Sequence, residues 1–290
     1  MGSFAGHVLP GSFFIAFGLW WWLHILAMIA KAQARFLKHR NSRKANNFAF
    51  EFDFVSTTWQ KIPLPYLRAV PVEPCLKAIA TTVGIFGELT RTDWRLIDKH
   101  NNFWRLNNFA HATMFAMFLI SASVEILRFY SILFLPPATE HVVSSLAFFV
   151  VGELFYFHID GRPELDQRLH ILIYVVAFSI AIVIILEGWQ RKCFILFVTR
   201  TILVVLLGTW FFQVAHILYG THPWQDIPSN RAFVVIAFSW HILGLLLTFL
   251  CSLMVASVFV RMRRSTCVIS LDNGSLTRDA TELDNLMITE

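Results

Sequence analysis

Charged residues are scarce in this chain, because Asp, Glu, Lys and Arg together make up only 15% of its 290 residues. Soluble proteins usually carry about 25% charged residues. Hydrophobic residues make up 56% of the chain, and its mean hydropathy is +0.59. This composition disfavours a soluble domain and is typical of a membrane protein.

Signatures of known reactions are also missing. The chain has no CxxC pair, no HExxH, no HxxxH, no Ser/His/Asp elbow and no phosphate-binding glycine loop. Residues 232–260 contain neither the lysine that a retinal Schiff base needs nor an NPxxY motif. His24 alone lies in the inner half of the predicted membrane region, where a two-haem protein needs histidine pairs. No local motif therefore identifies a reaction or a receptor class.

Seven apolar stretches are present, each close to the roughly 20 residues that cross a bilayer. They are approximately residues 10–31, 70–90, 104–127, 140–159, 167–188, 193–218 and 232–260. The second is the weakest, because two prolines, Glu73 and Lys77 lie at its start. The sequence predicts an all-α polytopic membrane protein, with a seven-transmembrane-helix bundle in residues 1–262.

The basic residues predict the orientation of this bundle. Fourteen Lys and Arg lie in the first, third and fifth loops and at the start of the tail, and seven lie on the opposite side. The positive-inside rule then places the N-terminus outside or in a lumen and the C-terminus in the cytosol. The net charge of +5 is explained by this topology, so no nucleic-acid partner is expected. All four cysteines fall on the reducing side, which predicts no disulfide.

Two segments are expected to lie in the cytosol outside the bundle. Residues 32–68 form a basic and aromatic loop, in which FAFEFDF has the alternation of a strand but no partner strand, so an interfacial or disordered segment is favoured. Residues 263–290 are polar and are expected to be a disordered tail. Both segments are candidates for binding trafficking proteins.

Polar residues in the predicted fourth and fifth spans are the first candidates for a functional site. A carboxylate in mid-membrane costs about 2.5–3.5 kcal/mol, so Glu153 needs a partner, a proton or a wet cavity. His158 follows Glu153 by five residues and does not share its helical face. Asp166 and His170 are four residues apart and do share a face.

Several polar residues on different helices are expected within roughly three turns of the outer surface. Depth alone leaves three readings open: interhelical hydrogen bonds or pocket lining, a metal site, and haem ligation or a proton relay. For a metal, zinc is the candidate, because imidazoles and carboxylates are its usual ligands. The candidate ligands are His111, His158, His170 and His241, with Glu153 as a catalytic base. The candidate pocket residues are Glu88, Asp166, Trp210, Gln213 and Trp240.

Four segments carry a resemblance to a known family. GHVLPGSFFIAFGLWW at the N-terminus, GELFYFHIDGRPELDQRLH in the centre, GTWFFQVAHILY in the sixth span and SWH in the seventh together resemble the transmembrane protein 45 family. The resemblance implies a heptahelical protein of Golgi, endosomal or plasma membranes. The positions that match the family pattern are His7, Glu73, Glu88, His111, Glu153, His158, Gly161, Arg162, Asp166, His170, Trp210, Gln213, Trp240 and His241.

Two functions follow from these observations. The first is a non-enzymatic multispanning membrane protein, whose outer His/Glu pocket binds a lipid or a small molecule. The second is a zinc-dependent membrane lipid hydrolase that uses the same cluster, with a metal-bound water as the nucleophile.

Overall fold

The computed structural model describes residues 3–39 and 54–287. These residues form seven α-helices: α1 (Phe4–His39), α2 (Val72–Thr90), α3 (Leu106–Phe129), α4 (Thr139–Phe157), α5 (Glu164–Trp189), α6 (Phe194–Tyr219) and α7 (Pro228–Met287). Within the described ranges the only strand-like pairing is an isolated bridge between Ile97 and Phe103. The predicted all-α, polytopic fold class is confirmed.

Six of these helices, rather than the seven expected, are long and apolar enough to cross a membrane in the described part of the chain. The exception is α2, whose every 18-residue window contains the three charged residues Glu73, Lys77 and Glu88. The prediction of a span there was therefore stronger than the composition supports. Helix α2 nevertheless packs on α3.

Helix α7 is longer than the predicted span. Its apolar part ends at Met262, and the helix continues to Met287 through residues that were expected to be disordered. No proline follows Pro228 in the sequence, so nothing in that part of the chain forces the helix to end. Most of the FAFEFDF segment lies outside the described residues, and its last residue, Phe54, is buried.

Contacts divide the chain into two units. The first comprises Met1–His24 and Asp53–Leu245, and the second comprises Ile25–Phe52 and Leu246–Glu290. In the second unit, the Gln33 side chain donates to the Ser257 carbonyl at 3.5 Å. All the sites described below belong to the first unit.

Neighbouring helices of the first unit run in opposite directions. Helices α2 and α3, α3 and α4, α4 and α5, and α5 and α6 are packed pairs. The starts of α1, α3 and α5 consequently lie with the ends of α2, α4 and α6. We refer to this end as the outer end, following the predicted orientation, and to the opposite end as the inner end.

A glycine contact brings α1 and α6 close together. A Cβ atom on Gly208 would lie 2.7 Å from Ile15 Cγ1, 2.8 Å from Ile15 N and 2.9 Å from the Gly11 carbonyl oxygen. Backbone atoms cannot move aside as a flexible side chain can. The small residue is thus required for this helix pair, as is common between membrane helices.

Substitution Gly208→Ala should therefore destabilise the protein by about 1–3 kcal/mol, the usual cost of overpacking. Gly87→Ala is the matched control, because a Cβ there meets nothing within 4 Å. The thermal unfolding midpoint of both variants in one detergent measures the difference. Equal midpoints for the two variants would contradict the tight α1–α6 contact.

Candidate functional site

The helices of the first unit enclose a cavity of about 210 Å³. Aromatic and aliphatic side chains form its middle, where the rings of Phe14, Phe118 and Phe148 lie with centroids 5.1 to 6.0 Å apart. Polar side chains line it at both ends. The cavity is smaller than the roughly 300–1,000 Å³ of most ligand pockets, so it suits one narrow apolar chain rather than a whole phospholipid.

At the outer end, two buried imidazoles on different helices meet. His7 Nε2 on α1 lies 3.5 Å from His170 Nε2 on α5. His7 is 7% exposed and His170 is 1% exposed. Their other ring nitrogens point towards their own helices, His7 Nδ1 at 3.0 Å from the Ser3 carbonyl and His170 Nδ1 at 2.9 Å from the Asp166 carbonyl.

The short turn between α4 and α5 supports His170. Asp166 Oδ1 lies 2.6 Å from His170 Nδ1, as the four-residue spacing predicts, and Asp166 Oδ2 accepts a hydrogen bond from Arg162 at 2.8 Å. The same Arg162 guanidinium contacts His158 Nε2. Burial and then the positive charge of Arg162 lower the pKa of His158 to about 3, so this ring is neutral near pH 7 and accepts from the arginine.

Helices α2 and α3 contribute a second polar pair to the outer end. Glu88 Oε1 lies 3.4 Å from His111 Nδ1, and Glu88 Oε2 accepts from Asn108 at 2.6 Å. All three side chains line the cavity. The outer end thus gathers His7, His111, His158 and His170, three of which were candidate ligands from the sequence.

The remaining predicted site residues lie elsewhere. Glu153 is exposed on α4 and makes no hydrogen bond or ion pair with the described residues. His241 contacts Thr209 Oγ1 at 3.1 Å on the side of α6 away from the histidines, and Trp240 is 59% exposed. These three residues do not line the cavity.

On α6, Trp210, Gln213 and His216 recur at a spacing of three residues, and this polar stripe does not line the cavity either. Trp210 is fully buried and donates to the Leu169 carbonyl at 3.2 Å, Gln213 is half-buried, and His216 is exposed. A spacing of three residues falls about 60° short of a full turn at each step, so the stripe winds around the helix. Trp210 therefore joins α5 and α6 rather than lining a pocket.

The predicted zinc set does not fit this geometry. Among residues 3–39 and 54–287, no group of three or more His, Cys, Asp and Glu side chains is arranged to hold a metal ion. His241 and Glu153 are away from the cavity, and the His158 Nε2 lone pair is already used by Arg162.

The inner end contains a buried ionic network that sequence reasoning missed. Lys77 Nζ lies 2.9 Å from Glu73 Oε1 and 3.3 Å from Glu125 Oε2. The indole nitrogens of Trp20 and Trp21 donate to the two Glu73 oxygens at 3.1 and 3.0 Å. Glu73 and Glu125 are at most 3% exposed. Because water hardly reaches these two carboxylates, their charges are compensated by Lys77 and by hydrogen bonds inside the protein.

A second ion pair lies beside the first. Arg200 Nε on α6 is 3.1 Å from Glu187 Oε2 on α5, and both residues are almost fully buried. The Arg200 guanidinium also lies 4.6 Å from the centre of the Trp21 ring. Nearby at this end, Glu140 pairs with Arg128 at 2.9 Å.

An extended segment, residues 54–60, joins the two ion pairs. Ser56 Oγ donates to Glu187 at 2.5 Å, Thr58 Oγ1 donates to Glu125 at 2.6 Å, and the Thr57 carbonyl accepts from Arg200 at 2.9 Å. Backbone Ser56 N donates to the Arg191 carbonyl at 2.6 Å. This stretch was predicted as part of a cytosolic loop, because its polar residues STT gave no sign that they pair with buried charges.

These features define the class of protein: an all-helical, multispanning integral membrane protein with a cavity inside its helix bundle. Residues 137–256 match the family model described as "Family of unknown function (DUF716)". The chain is 24% identical over 254 residues to transmembrane epididymal protein 1A of Mus musculus, an alignment that covers 84% of this chain and 77% of that protein. It is 23% identical over 247 residues to transmembrane epididymal protein 1 of Rattus norvegicus, with the same coverage.

These comparisons overturn the expected resemblance to the transmembrane protein 45 family. The similarity found is to transmembrane epididymal proteins, in alignments that cover 84% of this chain. The four segments are rich in Phe, Trp, Leu and Gly, residue types that recur in membrane helices for packing reasons. Short matches of this composition indicate a helical membrane protein better than they identify a family.

Loss of the central cation should destabilise the inner network. Lys77→Met leaves Glu73 and Glu125 buried without their shared cation, with an expected cost of about 3–5 kcal/mol. The readout is the thermal unfolding midpoint in one detergent. Glu153→Gln, at an exposed site, should change stability by about 0.5 kcal/mol or less.

The double variant Lys77→Met/Glu125→Gln tests the electrostatic cause. Removal of one uncompensated carboxylate should recover part of the stability lost in Lys77→Met alone. The contrary outcome is that Glu125→Gln lowers stability by the same amount in the Lys77→Met variant as in the wild type. The two residues would then act independently, and the network interpretation would be wrong.

Proposed function

We propose that this protein is a non-enzymatic multispanning membrane protein that binds one apolar chain with a small polar head in the cavity of its first unit. One observation carries the proposal: an aromatic and aliphatic passage inside the bundle connects two polar ends. Burial of apolar surface would supply most of the binding free energy, at roughly 25 cal/mol per Å². The polar ends would fix the direction of the chain.

The lining supports a lipid-derived ligand in particular. Met114, Phe118, Phe148, Val151 and Phe211 present only carbon and sulfur to the middle of the cavity. Ser121 Oγ and Ser144 Oγ, which also line it, bond each other at 2.8 Å and so leave little polarity there. An acyl chain matches this wall, whereas a polar metabolite would lose its hydrogen bonds with water without replacing them.

A zinc-dependent hydrolase is less well supported, because its predicted base Glu153 and its candidate ligand His241 do not line the cavity that His111, His158 and His170 share. A role in trafficking, through loop 32–68 and tail 263–290, stays a prediction, as do the orientation and the location in Golgi, endosomal or plasma membranes.

A filled cavity should abolish chain binding. Val151 is 2% exposed and faces the cavity from α4, so Val151→Phe should occupy the space of the chain. Val142→Phe is the matched control on the same helix, because Val142 is 43% exposed on its outer surface. The probe is a diazirine-bearing fatty acid, photocrosslinked to protein in lipid nanodiscs, with the labelled residues located by mass spectrometry.

The wild type and Val142→Phe should be labelled at Met114, Phe118 or Phe148, and unlabelled fatty acid should compete. Val151→Phe should lose most of this labelling, about tenfold, while it keeps a thermal unfolding midpoint near that of the wild type. Labels confined to outward-facing residues such as Phe149, or equal cavity labelling in both variants, would refute the proposal.

A further inference from the structure

The protons of His7 and His170 lie on the ring nitrogens that point away from each other. A carbonyl oxygen only accepts hydrogen bonds, so His7 Nδ1 must donate to the Ser3 carbonyl and His170 Nδ1 must donate to the Asp166 carbonyl. Asp166 Oδ1, at 2.6 Å from His170 Nδ1, favours the same tautomer. In the state in which both rings are neutral, each carries one proton, and both Nε2 atoms bear lone pairs.

These two lone pairs converge. The Nε2 atoms are 3.5 Å apart on helices α1 and α5, and both rings line the outer end of the cavity. Two acceptors that face each other in a buried place need a positive group or a donor between them. The Arg162 guanidinium, in the turn before α5, is engaged with Asp166 and His158 instead.

We propose that His7 and His170 form a binding site for Zn²⁺ or a similar borderline divalent metal ion. Two imidazole nitrogens bound to zinc at about 2.0–2.1 Å in tetrahedral geometry stand about 3.3–3.4 Å apart. The observed distance of 3.5 Å between the two Nε2 atoms is slightly longer, and a small movement of the side chains would bring it to this value. The proposal does not depend on the bound apolar chain.

The surroundings of both rings are those of metal ligands. A metal-binding histidine usually donates its second ring nitrogen to a carboxylate or a backbone carbonyl, which fixes the tautomer. His7 has a carbonyl in this role, and His170 has both a carbonyl and the Asp166 carboxylate. The carboxylate also offsets part of the charge of a divalent ion.

Two protein ligands make an open site. No group of three metal-binding side chains is present among the described residues, so water or a ligand oxygen would complete the coordination. Such a site binds more weakly than a closed four-ligand zinc site. This pair differs from the ligand set expected from sequence, in which His170 was grouped with His111, His158 and His241.

The experiment is zinc binding by the full-length protein in detergent, purified with a tag that contains no histidine. Equilibrium dialysis against zinc, with elemental analysis, should give close to one ion per chain. His7→Ala and His170→Ala should each reduce the affinity by at least 100-fold. His216→Ala, at an exposed histidine whose ring contacts the Phe212 carbonyl of its own helix and the Phe4 ring, should leave it unchanged.

A positioning variant separates a metal site from a structural histidine pair. Asp166→Asn keeps both ligands and should weaken zinc binding by about 10–100-fold. X-ray absorption of the wild type should show imidazole nitrogens at about 2.0–2.1 Å. Val151→Phe should retain the metal, so failure of the acyl-chain proposal and failure of this one are distinguishable.

Two results would overturn the inference. One is a folded wild type that binds no zinc at any concentration at which it stays monodisperse. The other is zinc retained at full affinity by the double variant His7→Ala/His170→Ala, which would place the ion elsewhere.

Discussion

The burial of ionisable groups away from water is the constraint on which the first unit depends. At its inner end, four carboxylates, Glu73, Glu125, Glu140 and Glu187, lie against four cations, Lys77, Arg128, Arg191 and Arg200. Each ion costs several kcal/mol to desolvate, and pairing recovers this only with good geometry and added hydrogen bonds. Segment 54–60 supplies those hydrogen bonds, so a stretch of chain that is not helical forms part of the bundle.

The outer end meets the same constraint differently. Its histidines can be neutral, so they cost less to bury than carboxylates or guanidinium groups, and the Nδ1 atoms of His7 and His170 each contact the backbone carbonyl four residues earlier. The charges that are present, such as Asp166 and Arg162, pair in the turn between α4 and α5. A cavity with an apolar middle therefore lies between a charge-paired inner end and an outer end rich in lone pairs.

The depth of each residue in the membrane could be estimated from the sequence, but the direction in which its side chain points within the bundle could not. Three of the candidate histidines, His111, His158 and His170, line one cavity together with His7, which lies before the predicted first span and was not among the candidate ligands. His241 does not line this cavity, since a residue at a given depth points to one side of its helix only. Glu73 and Lys77 appeared unfavourable for a span because Glu125, the second carboxylate that pairs with Lys77, lies 48 positions further along the chain.

The sequence by itself determined that this is an all-helical, multispanning membrane protein, because long apolar runs can satisfy their backbone hydrogen bonds in a bilayer only as helices or closed barrels. It also determined local pairs such as Asp166 with His170, which one helical turn brings together. Only the tertiary structure decided that His7 meets His170, that Lys77 meets Glu125, and that Phe54, Ser56 and Thr58 are buried. These contacts depend on the rotation of each helix about its axis, which is set by packing against neighbours such as the Gly208–Ile15 contact.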